Sequence, residues 1–210
     1  MIECVPVVGE FSENCYFFID AASKHGFAID PGAQASRLLA LIAERGWTIE
    51  KILLTHGHFD HIGAASELRE ALGVPILAFA NAREYLADPA MNLSAYQAES
   101  ITVDGVLPFE DEQRISLAAN PAHELTVLHT PGHTSDSVTF FAPNESAAFV
   151  GDTIFAGSIG NYRFPGGSYG QIRSSILEKI LKLPAQTVLL PGHGPQTSVL
   201  AERMRYGLAA

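Results

Sequence analysis

Cysteine is nearly missing from this 210-residue chain: Cys4 and Cys15 are its only two, and they share no C-x-x-C spacing. That excludes a disulfide framework and a cysteine-rich metal cage. Both cysteines fall in strand-like stretches and are expected as small buried apolar residues. Basic residues are few as well, 13 against 23 acidic ones, for a net charge of −10. They form no cluster or stripe, so no nucleic-acid partner is expected. Apolar runs are all too short for a transmembrane helix, so no membrane partner is expected either. The Met1-Ile2-Glu3-Cys4 start carries neither a basic n-region nor a long apolar stretch, which makes the cytoplasm the expected location. Short repeats and low-complexity segments are missing too.

What is present is the composition of a globular protein, 47% hydrophobic and 17% charged, with one domain expected over residues 1–210. Strand signals at 15–20 and 27–30 precede a helical stripe of Leu38, Leu41 and Ile42 that Gly46 stops. A short strand at 51–54 runs straight into a histidine-rich segment, and one helix is expected over 60–72. Another strand follows at 74–79. Residues 88–113 have weak periodicity and read as a long surface excursion that could close over a substrate. Strands resume at 125–129, 137–141 and 147–150. Ser168 and Gln171 form a capping box for a helix to about 183, and a last strand covers 187–190. The sum is a mixed α/β protein with more than one sheet.

The chemistry concentrates in seven side chains. Four stand in Thr55-His56-Gly57-His58-Phe59-Asp60-His61, and His133, Asp152 and His193 each follow a separate apolar run. A glycine lies beside or one residue from the ligand at each of these strand ends, where turns need unusual backbone angles. Imidazole and carboxylate are the groups that hold Zn, Mn or Fe in open catalytic sites, whereas structural zinc cages are closed and rich in cysteine. Seven such groups can serve two divalent ions only if one carboxylate is shared. That combination points to a metal-dependent hydrolase. His25 and His123 read as ordinary structural histidines, and His129 as a core residue or a support to the site.

These residues resemble the metallo-β-lactamase superfamily and, within it, the short glyoxalase II-type hydrolases. The resemblance runs through Asp30-Pro31-Gly32, the histidine cluster, Thr130-Pro131-Gly132-His133-Thr134, Gly151-Asp152-Thr153 and Pro191-Gly192-His193-Gly194-Pro195. It implies an αβ/βα four-layer sandwich with the site at one edge. It also implies that His56, His58 and His133 hold a first metal, that Asp60, His61 and His193 hold a second, and that Asp152 bridges them. Zinc is the first expectation for both, with iron and manganese as alternatives. The implied reaction is hydrolysis of a small-molecule thioester such as S-lactoylglutathione by a metal-bridging hydroxide that Asp60 helps to orient. Two features depart from the family pattern. The glutathione-binding helical extension of longer members has no counterpart soon after His193, and Gly160-Asn161-Tyr162-Arg163-Phe164-Pro165 stands where short members commonly show G-R-x-D-x-P.

Three other readings use the same residues. A lactonase or β-lactamase shares every step before the leaving group departs. A persulfide dioxygenase would hold one iron through His56, His133 and Asp152. A non-catalytic relative would be expected to have lost ligands, and none is missing. The oligomeric state is left open by the sequence.

Overall fold

Residues 15–19 read Cys-Tyr-Phe-Phe-Ile without a polar break, and a strand lacking a polar face has to be covered on both sides. The computed structural model, which describes residues 1–208, meets that demand with two stacked sheets and helices outside them. The first sheet is β1 (Ile2–Val8), β2 (Ser12–Ile19), β3 (His25–Ile29), β4 (Thr48–Leu53), β5 (Ile76–Phe79) and β6 (Leu107–Phe109), in that order. The second contains β7 (Arg114–Ser116), β8 (Glu124–His129), β9 (Val138–Ala142), β10 (Ala147–Gly151), β13 (Val188–Pro191) and β14 (Thr197–Ser198), ordered β14-β13-β10-β9-β8-β7. A small hairpin of β11 (Ile154–Phe155) and β12 (Ser158–Ile159) branches from it.

Three apolar layers hold these sheets. On one face of β2, Cys15, Phe17 and Ile19 pack with Leu38 and Ile42 of α1 (Ala35–Arg45) and with Leu68 of a later helix. On its other face Tyr16 and Phe18 meet the second sheet, with the Tyr16 and Phe149 rings 5.3 Å apart edge to face. Ala148, Val150 and Leu189 then pack beneath Ile172, Ile176 and Ile180. Helix, sheet, sheet and helix follow one another, which is the αβ/βα order expected.

Four local expectations need correction or refinement. The helix expected over 60–72 is two helices, α2 (Phe59–Ile62) and α3 (Ala65–Leu72). The break comes where Gly63 lies against the Pro31–Gly32 turn: a Cβ there would sit 2.3 Å from the Gly32 carbonyl, and the Ala64 N–H goes to the Pro31 carbonyl. Second, residues 88–113 run over the surface as expected, with few of them buried, but are tied into the fold beyond α4 (Arg83–Ala87) rather than left loose. The Asn92 amide donates to the Tyr85 and Ile101 carbonyls at 3.0 and 2.9 Å, Val103 is buried, and β6 pairs with β5. Side chain to backbone bonds hold this segment, which is why it shows no hydrophobic period. Third, the expected helix from 168 begins as α5 (Tyr169–Ser174), capped by the Ser168 hydroxyl on the Gln171 N–H. It then widens into a π turn, Ser175–Lys179, and tightens into a 3₁₀ turn, Ile180–Lys182. Fourth, Cys4 is exposed on β1, an edge strand with a solvent face, whereas Cys15 is buried. A last helix, α6 (Val199–Arg205), packs Val199 into the third layer. Among the described residues no helix is long and apolar enough to cross a membrane.

Candidate metal centre

Beyond β4 the chain leaves the sheet because its polar groups find other partners. The Thr55 N–H and hydroxyl both donate to Asp30, at 2.7 and 2.5 Å, while the Thr55 carbonyl accepts from Val138 in the second sheet. His58 has extended backbone (φ −70°, ψ 148°) and stands at the start of α2. His56 and His58, on either side of Gly57, bring their rings to one point. Helix α2 then sets Asp60 and His61 side by side. The turns after β8, β10 and β13 deliver His133, Asp152 and His193 to the same place.

All seven side chains expected from the sequence meet here. His58 Nδ1 lies 3.2 Å from His56 Nε2 and 2.9 Å from His133 Nε2, forming one group of three ring nitrogens. Asp60, His61 and His193 form a second group, with His193 Nε2 3.2 Å from Asp60 Oδ2. Asp152 stands between them: its carboxylate lies 3.6 Å from His133, 3.5 Å from His61 and 3.5 Å from His193. The outward ring nitrogens are tied down, His133 Nδ1 to the Asn161 carbonyl at 2.7 Å, His193 Nδ1 to the Ser12 carbonyl at 2.7 Å, and His61 Nδ1 to Asp30 at 3.0 Å. Such bonds fix the tautomer and leave the inward nitrogen free as a ligand. His61 Nε2 and Asp152 Oδ1 are buried there with no hydrogen-bond partner. Converging, unsatisfied N and O atoms are costly in a protein interior, and divalent cations fit this donor set.

A model of the metallo-beta-lactamase superfamily matches residues 8–193. The chain belongs to that superfamily. It is similar to hydroxyacylglutathione hydrolase GloC of Haemophilus influenzae, with 35% identity over 96% of this chain and 94% of the relative. Among solved structures, the B3 metallo-beta-lactamase BLEG-1 is 33% identical, with 97% of each chain covered and a TM-score of 0.89. TTHA1623, solved in a di-iron-bound form, is 35% identical over 94% of this chain and 96% of its own, with a TM-score of 0.83. The chain is thus a metallo-hydrolase of the superfamily, with His/Asp clusters suited to metal.

Electrostatics divide this metallo-β-lactamase-fold site into two halves. Burial, then the neighbouring imidazoles, keep His56 well below the usual histidine range, and burial with His133 holds His58 at about 3. His133 is lowered mainly by burial. The first group therefore offers neutral nitrogens at physiological pH. In the second, burial opposes charge on His61, but Asp152 and Asp60 outweigh it and raise it well above normal. Burial likewise opposes ionisation of Asp60 and Asp152, and His61 with its neighbours draws both carboxyls down. Both stay anionic, as cation ligands must.

Residues outside the seven complete the centre. Asp30, quoted in the sequence only as part of a turn motif, anchors Thr55 and His61 together from a left-handed backbone (φ 49°) that few residues other than Gly, Asn and Asp adopt. Glu13 is buried behind His61 at 3.9 Å with neither oxygen hydrogen-bonded, and burial pushes its carboxyl well up. The signal was the polar pair Glu13-Asn14 opening a strand buried on both faces. Phe164 packs edge-on against His58 at 5.6 Å, and Phe155 lies 6.3 Å from His193. The remaining histidines lie outside the cluster. His25 pairs with Glu50 at 2.8 Å, His123 stacks on Phe18 at 3.9 Å, and His129 stacks on Phe79 at 4.1 Å. A cavity of about 350 Å³ adjoins Asp60 between Phe11 and Phe59, whereas a larger one of about 690 Å³ lies away from the site along α4.

Proposed function

We propose that the chain hydrolyses small-molecule thioesters, S-lactoylglutathione being the first candidate, with two divalent cations at this centre. His56, His58 and His133 would hold one, and Asp60, His61 and His193 the other. Asp152 would serve both, and its position within 3.6 Å of histidines in either group is the observation that carries the two-cation reading. Zinc is the first choice, and the di-iron form of a relative makes iron the leading alternative.

When bound, such cations lower the pKa of a water from ~15.7 to ~7 and draw electron density from a substrate carbonyl. The protein's share is positional. Asp60 is ionised and only partly buried, so it can accept a hydrogen bond from the attacking water and orient it. Phe155 and Phe164 flank the histidines with apolar surface against which an acyl group can rest. A thiol leaves as a thiolate with a conjugate pKa of ~8.5, so no general acid is required. That suits the groups nearest the reacting centre: Asp60 and Asp152 are anionic, and the Tyr85 hydroxyl is engaged with Ser135 and the Pro165 carbonyl. The similarity to GloC supports the same substrate class.

The likeness to BLEG-1 favours a second reading, β-lactam hydrolysis at the same centre. Protein stripped of metal and reloaded with Zn, Fe or Mn would be assayed on S-lactoylglutathione, a lactone, a β-lactam and, with oxygen uptake recorded, glutathione persulfide. Turnover of the thioester well above the others is expected. Preference for the β-lactam or lactone, or oxygen consumption with one iron per chain, would replace the proposal.

A further inference from the structure

The start of β2 grips the His193 turn from 180 residues away in sequence. The Asn14 side-chain amide donates one hydrogen to the Pro191 carbonyl at 3.0 Å and the other to the Gly194 carbonyl at 2.9 Å. Its backbone N–H donates to the Gly192 carbonyl at 2.8 Å. Two residues before Asn14, the Ser12 carbonyl accepts from His193 Nδ1, and from the other side the Tyr16 hydroxyl donates to Pro191 at 2.7 Å. A primary amide has two N–H donors, and Asn14 spends both on carbonyls that bracket the histidine. Asn14 is buried, so water does not substitute readily for these bonds.

We infer that Asn14 is a positioning residue for His193: its amide sets the Pro191–Gly194 turn so that the imidazole keeps Nδ1 on the Ser12 carbonyl and turns Nε2 toward Asp60 and Asp152. The inference rests on the two-cation reading above. Among the described residues no other side chain in the bonds around this turn reaches both flanks of the histidine. Asparagine is needed rather than aspartate, because a carboxylate would set oxygens against the two carbonyl oxygens.

The test compares Asn14→Asp and Asn14→Ala with the wild type and with Ser198→Ala, which removes the α6 cap and none of the side-chain bonds around the turn. Zinc uptake by metal-stripped protein would be followed by competition with a chromophoric chelator. The result expected is that one of two zinc equivalents weakens about 10–100-fold in both Asn14 variants, while the other moves by less than about 3-fold. Ser198→Ala should leave both alone. Equal weakening of the two equivalents, or the same pattern in Ser198→Ala, would reduce Asn14 to a general structural role and overturn the inference. Imidazole ¹⁵N spectra of metal-free protein at alkaline pH separate this claim from the two-cation reading. A single Nδ1–H tautomer of His193 in the wild type, becoming mixed in Asn14→Asp, supports positioning even if wild-type protein takes only one zinc. The same tautomer in both proteins overturns it. Should Asn14→Asp fail to fold, Asn14→Ala, which adds no charge, carries the same two readouts.

Discussion

A single methyl group at Gly192 should disable the centre without unfolding the protein. The backbone there lies outside the left-handed region, so alanine is permitted and only the methyl is at issue. Its carbon would lie 2.4 Å from His61 Cε1 and 2.6 Å from Asp152 Oδ1. Carbon contacts settle near ~3.5–4.0 Å, so about 1 Å of movement is required. His61 is pinned behind by Asp30, and Asp152 lies among three histidines, so the turn bearing His193 has to retreat or the shared carboxylate has to rotate. Either change separates ligands that must converge. A misplacement of ~1 Å can cost ~10²-fold in rate, which sets the expected loss in Gly192→Ala. Metal content by mass spectrometry, thioester turnover and circular dichroism would be measured together. The expected pattern is a native spectrum, fewer than two metals and a turnover loss of about 100-fold. A variant with full metal content and wild-type turnover would refute the claim that Gly192 closes the gap between His61 and Asp152.

Other substitutions probe different parts of the account. Asp30→Asn offers His61 Nδ1 an amide in place of a carboxylate and should weaken metal binding about 10–100-fold, measured by chelator competition; unchanged affinity would remove Asp30 from the site's support. Asp136 is fully buried, and burial pushes its carboxyl up to about 7. Below about pH 4 both folded and unfolded forms are protonated and the group costs nothing. Between about pH 4 and 7 the unfolded chain ionises first, so metal-free protein loses stability as pH rises, by up to about 4 kcal/mol at ~1.36 kcal/mol per unit, and the loss is constant above 7. Asp136→Asn lacks that loss and should gain stability over the wild type at pH 8 but not at pH 4 in urea unfolding; an equal difference at both would contradict the assignment. His25→Ala breaks a surface pair with Glu50 and should leave metal content and turnover unchanged, with a stability change under about 1 kcal/mol.

The ligands were legible because strand ends announce themselves: an apolar run, a turn residue and a histidine or aspartate recur at β4, β8, β10 and β13. The layers were legible for a related reason, since an unbroken apolar strand such as β2 needs a cover on each face. What stayed hidden rests on hydrogen bonds rather than on hydrophobic period. Residues 88–113 fold back through Asn92 and Ser94, whose amide and hydroxyl bond to backbone, and no stripe marks such a segment. The break between α2 and α3 follows from a contact with Gly32, 31 positions earlier than Gly63. Glu13, Asn14 and Asp30 act on ligands distant in the chain, so their roles become visible only when β2 and β3 are set beside α2 and the His193 turn.

The most direct test is a metal count. Metal-stripped wild type and Asp152→Ala would be dialysed against Zn, Fe or Mn, and bound metal measured per chain. Two equivalents in the wild type and at most one in Asp152→Ala are expected, because the carboxylate within reach of both histidine groups is gone. A wild type that takes up one equivalent or none with every metal, or an Asp152→Ala variant that keeps two, would contradict the shared-carboxylate centre.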